Sequence, residues 1–219
     1  GRRPTDIAKA REATLQLAVT LFLICFAGSQ LFYGPFSDRY GRRPALVFGL
    51  VVFVAGSLVA LSAESVTMLL VGRVLQGLGG GAGPAIGQAI VLDVYGRERA
   101  GRVIAYMAIA LPLAPAVAPI IGGFLHDVWG WHSVFITLSA MGATLLVAYL
   151  VLLPETNRRH ADAPARPGLV SGYRTLLRNR TFTTYALIMG LMFGGQLVFI
   201  SSSSFVLIDE LGLGAKAYG

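Results

Sequence analysis

Charge is scarce in this chain of 219 residues. Asp, Glu, Lys and Arg together make up 13%, about half the roughly 25% of an ordinary soluble domain, too few to coat a water-facing surface of normal polarity. Cysteine is almost missing: Cys25 stands alone in an apolar run, which excludes an intrachain disulfide and any paired-cysteine metal site. The three histidines, His126, His132 and His160, fall in loops or at the edges of apolar runs, and no acid sits in the middle of one. That leaves no water-accessible catalytic constellation, so the sequence assigns no catalytic residue, no metal ligand and no cofactor. No cleavable signal peptide is visible and the first residue is Gly1 rather than methionine, so the chain is expected to be incomplete.

What is present is apolar surface. Hydrophobic residues reach 55%, the mean hydropathy is +0.67 and there are 27 glycines. Lipid offers no partner to an exposed amide, so a chain of this kind crosses a bilayer as helices, and the fold class is all-α, polytopic and membrane-embedded. Six spans are expected, near 14–33, 45–63, 67–92, 102–125, 132–153 and 182–206. The net charge of +7 does not indicate nucleic acid, because most of the basic residues sit in short turns between spans rather than on one groove-sized face. The bilayer is the implied partner.

Those turns alternate. Arg39, Arg42 and Arg43 follow the first span; Arg97, Arg99 and Arg102 follow the third; Arg158, Arg159, Arg166, Arg174, Arg178 and Arg180 lie in residues 154–181. The turns near Glu64 and from His126 to Trp131 carry no Lys or Arg. Positive-inside bias puts the first set in the cytoplasm and both chain ends outside. Arg2, Arg3, Lys9 and Arg11 oppose this, as expected of a chain cut upstream of the helix that sets orientation. From Leu169 to Arg180, apolar Tyr173, Leu176 and Leu177 alternate with Arg174, Arg178 and Arg180, which fits either a short helix on the anionic inner leaflet or a solvated connector.

Residues 34–46 form the most informative turn, and its pattern repeats. Gly34, Asp38, Tyr40 and Gly41 match Gly123, Asp127, Trp129 and Gly130 in spacing, and Asp93, Val94, Tyr95, Gly96 echo the second half. The first two lie three spans apart, hence on opposite faces, as an inverted three-helix repeat requires; reuse of Asp and Gly as turn formers is the alternative. In the third span Gly77, Gly79 and Ala82 fit a dinucleotide pattern, but no strand or crossover surrounds it. Gly79, Gly83 and Gly87 are instead expected to form a small-residue stripe for close helix packing. Pro112, Pro115 and Pro119, followed by Gly122 and Gly123, are expected to kink the fourth span.

Gly34 to Leu46 resembles the signature between the second and third helices of the major facilitator superfamily, with Phe36, Ser37 and Arg43 as mild departures. Arg73, Gln76 and Gly77 resemble its fourth-helix signature. Ala118, Pro119, Gly122 and Gly123 resemble its antiporter signature, with Ala118 in place of glycine. Features around Gln30, Tyr33 to Pro44, Asp93, Pro154 to Thr156 and Phe205 to Tyr218 resemble the Bcr/CflA group of bacterial drug-resistance transporters. The resemblance covers nearly the whole chain and makes its six spans helices two to seven of twelve. Residues 1–153 are then an N-terminal bundle lacking its first helix, 154–181 a cytoplasmic connector and 182–219 the start of a C-terminal bundle.

The resemblance implies proton-coupled efflux of small amphipathic or antibiotic-like compounds across the bacterial inner membrane, by a full-length chain acting as a monomer. A carrier of a metabolite or nutrient, or a non-transporting scaffold or receptor, is the alternative. It also implies a cytoplasmic gate of Gly34, Asp38, Arg39, Gly41, Arg42, Arg43 and Asp93, in which Asp93 pairs with Arg42 and Asp38 faces a helix end in the absent half. Arg73 with Gln76 would couple proton and substrate through an acid on the absent first helix, whereas a bland Arg73 would snorkel to the outer headgroups. Pro115, Pro119, Gly122 and Gly123 would bend their helix. Gln30, Gln88, Tyr106 and Gln196 would line the cavity or bond neighbouring helices.

Overall fold

The computed structural model describes residues 4–110, 113–157 and 169–205. Among these the chain is helical: α1 Pro4–Tyr40, α2 Arg42–Leu61, α3 Val66–Gly80, α4 Ala82–Ala110, α5 Leu113–Trp129, α6 His132–Leu152, α7 Leu169–Arg178 and α8 Arg180–Phe205. Two compact units result, residues 1–162 with α1 to α6 and residues 163–219 with α7 and α8. Three described helices are long and apolar enough to cross a membrane, over Gln16–Tyr40, Arg42–Leu61 and His132–Leu152. The chain also carries many large apolar side chains on its outside, Val151 and Leu152 of α6 and Leu191 of α8 among them, a distribution that lipid tolerates and water does not.

The third and fourth expected spans are divided differently from the reading above. Residues 67–92 are split at Gly81, whose φ of −64° and ψ of −15° keep the chain nearly helical while α3 ends and α4 begins. A side chain there would strike the Ser29 hydroxyl and approach the Phe26 carbonyl of α1, so only glycine lets the two helices meet at this level. α4 then runs through the expected turn and breaks internally at Gly96, with φ 70° and ψ 171°. Of the expected kink, Pro112 lies outside the described residues, and α5 continues unbroken past Pro115 and Pro119. Pro115 is in the first turn, where its missing amide has no helical partner to lose.

The turn at 34–46 is tighter than a loop. Residues 34–40 complete the last turns of α1, and Gly41 alone, at φ 100°, separates α1 from α2. Ser37 donates to the Gly34 carbonyl at 2.9 Å within those turns, and Pro44 falls in the first turn of α2. Gly41, Gly96 and Gly130 are the positive-φ residues of the described chain, at 100°, 70° and 78°. They are the terminal glycines of the three Asp-x-aromatic-Gly segments, so each copy of the pattern ends a helix by the same left-handed step that side chains resist.

Close packing uses a different glycine set from the expected stripe. α2 lies against α3 through Gly49 and Gly56 on one helix and Gly72 and Gly79 on the other; a Cβ on Gly56 would stand 2.6 Å from the Gln76 nitrogen and 2.8 Å from the Gly72 carbonyl oxygen. Both pairs are spaced by seven, the period that keeps two supercoiled helices in register. Gly83 meets nothing within 4 Å and Gly87 only the Met107 methyl at 3.9 Å; from this part of α4 it is Ala82 and Ile86 that pack against α2. The remaining core is small: Tyr33, Ala45, Leu46, Ala82 and Ile86, where α1, α2 and α4 converge.

Candidate functional site

Three helices bring charge together at one end of the first unit. The last turn of α1 supplies Asp38, the first residue of α2 is Arg42, and Asp93 comes from α4 just ahead of its break at Gly96. Arg42 places Nη1 2.6 Å from Asp38 Oδ1 and Nε 2.8 Å from Asp93 Oδ2. Its Nη1 also donates to Ser37 Oγ at 2.8 Å. The Arg42 side chain is 9% exposed, whereas those of Asp38 and Asp93 are 38% and 26% exposed. One guanidinium is therefore withdrawn from water and shared by two carboxylates that remain partly wet. Its planar fork suits that task, since each edge presents donors in a fixed direction.

The start of α2 has no side-chain cap of its own, because Gly41 occupies the position and carries none. Glu155, just beyond α6, fills the gap: Oε1 accepts from the Arg42 amide at 2.9 Å and Oε2 from the Arg43 amide at 3.1 Å. Oε1 also accepts from the Asn157 amide at 2.9 Å, and Asn157 Nδ2 donates to the Asp38 carbonyl at 3.1 Å. Arg43 completes the link by donating to the Leu150 carbonyl at 2.6 Å. A carboxylate at a helix N-terminus meets both unpaired amides and the positive end of the dipole. Burial works to raise the Glu155 carboxyl, and the amides of Asn157, Arg42, Arg43 and Thr156 outweigh it, leaving it below the usual 4.5.

The sign follows from that lowered value. Glu155 stabilises the fold fully above about pH 4.5, and its contribution fades as acid titrates the folded carboxylate below that point. Glu155→Gln is expected to lower the detergent-solubilised protein's melting temperature at pH 7 and to flatten the part of its pH dependence below pH 4.5. Thermal unfolding from pH 7 to pH 3.5 on both proteins checks this.

Two other residues of the expected gate are less engaged. The Arg39 guanidinium lies 5.5 Å from the centre of the Tyr40 ring, and a Cβ on Gly34 would meet nothing within 4 Å.

A second polar group is buried between α2 and α3. Gln76, 1% exposed, donates from Nε2 to Ser57 Oγ at 2.9 Å, and Ser57 donates on to the Phe53 carbonyl at 2.9 Å. Arg73, one turn earlier on α3, turns inward: Nη1 donates to Gln76 Oε1 at 3.3 Å and the cation lies 5.0 Å from the centre of the Phe135 ring of α6. Its Nε is buried without a hydrogen-bond partner among the described residues. The side chain thus reaches along α3 toward Gln76 and the Phe135 ring.

The remaining sequence candidates of the first unit are not gathered around it. Gln30 packs beside Gly81, while Gln88 and Tyr106 of α4 are exposed and Gln196 lies exposed in the second unit. Gly122 and Gly123 would meet nothing within 4 Å. Among the described residues no group of three or more potential metal ligands occurs.

Comparison with known proteins gives this arrangement its context. The sequence profile of the Major Facilitator Superfamily matches residues 5–219. The chain belongs to the major facilitator superfamily. It is 33% identical over 203 residues to multidrug resistance protein D of Escherichia coli K12, covering 93% of this chain and 51% of that protein. It is 29% identical over 218 residues to a bicyclomycin resistance protein homolog of Haemophilus influenzae, covering 98% and 55%. The chain therefore spans about half the length of these curated relatives. Among solved structures, the human organic anion transporter MFSD10 superposes with a TM-score of 0.66 at 19% identity, over 92% of this chain and 51% of that one. A peptide transporter, POT, superposes at 0.57 over 91% and 41%. The all-helical fold is thus a major facilitator fold. Glu155 and Asn157, which the sequence reading passed over as gate elements, enter the site of this family member only through the fold; the hint was an acid placed directly after an apolar span that itself ends beside the arginine turn.

Proposed function

We propose that this chain is the front part of a bacterial inner-membrane transporter that expels small amphipathic or antibiotic-like compounds in exchange for protons, by alternating access. The observation that carries the reading is the single Arg42 shared by Asp38 and Asp93 across α1, α2 and α4. A cation held between two carboxylates on separate helices is a discrete contact that is either made or broken, which suits a latch between two states better than a graded contact would. In this reading residues 1–153, 154–181 and 182–219 serve as bundle, connector and start of the second bundle. The names of the relatives from Escherichia coli and Haemophilus influenzae support drug-like compounds as the substrate class.

Arg73 serves coupling. A buried guanidinium with an unpartnered Nε and no ion pair among the described residues calls for an anionic partner. A carboxylic acid on the part of the transporter outside this chain supplies it, and substrate entry changes that acid's affinity for its proton. Purified full-length protein in weakly buffered detergent is expected to release protons when a transported drug is added, read by a pH indicator. Drug binding without proton release removes the antiport mechanism; no response across a broad drug panel moves the reading to a metabolite carrier.

A further inference from the structure

The second unit contains a helix, α7, to which the export reading gives no role beyond connection. α7 has ten residues, and at 100° per residue its Tyr173, Leu176 and Leu177 fall in an arc of about 100°. Arg174, Arg178, Ser171 and Thr175 occupy the other side. Leu176 is 42% exposed and Leu177 is 66% exposed. No acidic residue occurs between Asp162 and Asp209, so the cluster of Arg174, Arg178 and Arg180 has no acid in its own stretch of chain.

The junction with α8 is built rather than loose. Asn179 alone separates the two helices; its amide donates to the Leu176 carbonyl at 3.0 Å and its Oδ1 accepts from the Phe182 amide at 3.3 Å. Thr183 of α8 donates from Oγ1 to the Leu177 carbonyl, the end of α7, at 3.0 Å. An apolar helix of 26 residues, α8, thus begins with an arginine and a capped corner, and α7 is fixed to that corner.

We infer that α7 lies in the surface of an anionic lipid leaflet, its Tyr173, Leu176 and Leu177 face toward the acyl chains and Arg174, Arg178 and Arg180 among the headgroup phosphates. Charge complementarity decides the occupant: three cations beside an apolar strip match a negatively charged lipid surface, which attracts each arginine within a Debye length. The apolar strip settles about 5–10 Å into the headgroup boundary. The hydrogen-bonded corner passes that anchoring to the first turn of α8. This goes beyond the export reading, because it holds whatever the protein carries.

The test uses full-length protein in nanodiscs, with Cys25→Ser and every cysteine outside these residues also changed to serine as background, and a spin label at Leu177→Cys or, separately, at Thr175→Cys. Lipid is phosphatidylcholine alone or mixed with phosphatidylglycerol. In the anionic mixture the label at 177 is expected to collide with oxygen dissolved in the bilayer and to escape a water-soluble nickel chelate, while the label at 175 does the reverse. The lipid-exposed fraction at 177 falls in phosphatidylcholine alone, and its partition ratio falls about fivefold for each arginine changed to glutamine. Free access of the nickel chelate to both positions in both lipids overturns the inference in favour of a solvated connector. Protection of position 177 from oxygen and nickel alike overturns it in favour of docking on protein. The lipid comparison uses one variant throughout, so it stands even if the arginine variants fold poorly.

Discussion

Arg42→Ala is expected to abolish transport and to cost the fold about 2–4 kcal/mol, somewhat less than the ~3–5 kcal/mol of breaking a fully buried pair. The reason is the imbalance left behind. Asp38 and Asp93 lose the cation that holds them together from 2.6 and 2.8 Å, and Ser37 loses a donor in a buried position. Both carboxylates keep some water, which softens the penalty. Arg42→Lys separates charge from geometry: one ammonium cannot reproduce a guanidinium that meets two acids along different edges, so transport is expected to fall at least tenfold while expression and insertion remain. Thermal unfolding in detergent and uptake into inverted vesicles, measured on the same preparations, check both parts. Wild-type transport by Arg42→Ala leaves the cluster as a marker of topology only.

Gly56→Val is expected to be as severe for a different reason. The added atoms fall where the Gln76 nitrogen and the Gly72 carbonyl already stand, at 2.6 and 2.8 Å from the first carbon alone. Backbone cannot move aside as a flexible side chain does, so α2 and α3 must separate, at about 3 kcal/mol or more. Separation also pulls Ser57 away from Gln76, and Gln76 is the group that Arg73 bonds. The variant is expected to lose monodispersity in detergent and drug resistance in cells together. Gly83→Val, on the glycine that meets nothing within 4 Å, serves as the control and is expected to leave the monodispersity of this chain unchanged. Size-exclusion profiles of the two variants decide the matter.

The difference between those glycines shows where sequence reading stops. A run of small residues announces close packing, but which of them touch depends on the face each presents: Ala82 lies against Gly49 of α2, while the adjacent Gly83 meets nothing within 4 Å. Local signals fared well where the physics was local. Asp, an aromatic residue and glycine in a fixed order mark a helix stop, and Gly41, Gly96 and Gly130 each take the positive φ that such a stop needs. α6 alone measures about 31 Å at 1.5 Å per residue. Leu150, near its far end, accepts from Arg43, so the Gly130 turn lies at the opposite end of the bundle from the Gly41 turn. The pairing of Asp93 with Arg42 was implied by the family resemblance, whereas the ion pair of Asp38 with Arg42 was not read from the sequence and appears only in the fold. Asp93 was legible because the span lengths bring its end to the same side.

Glu155 was not legible, and the cause is distance along the chain. It caps amides 113 and 112 residues away, and no local pattern marks an acid as the cap of another helix. Besides its place directly after an apolar span, the missing side chain at Gly41 was a clue, since a helix start without a cap of its own must find one elsewhere or leave its amides to water. The resulting clasp joins α1, α2 and the exit of α6 through Asn157 and Arg43 as well. In the proposed latch, a change at Asp38 or Asp93 would act on this clasp and so on whole helices rather than on one loop.

Asp38→Asn in the full-length protein is the most direct test of the latch, because it removes one charge while keeping the side chain's size and leaves Asp93 on Arg42. Drug transport into proteoliposomes under an imposed pH gradient is the measurement, with insertion and drug binding assayed alongside. A working latch requires transport to drop at least tenfold while insertion and binding stay at the wild-type level. Unchanged transport contradicts it.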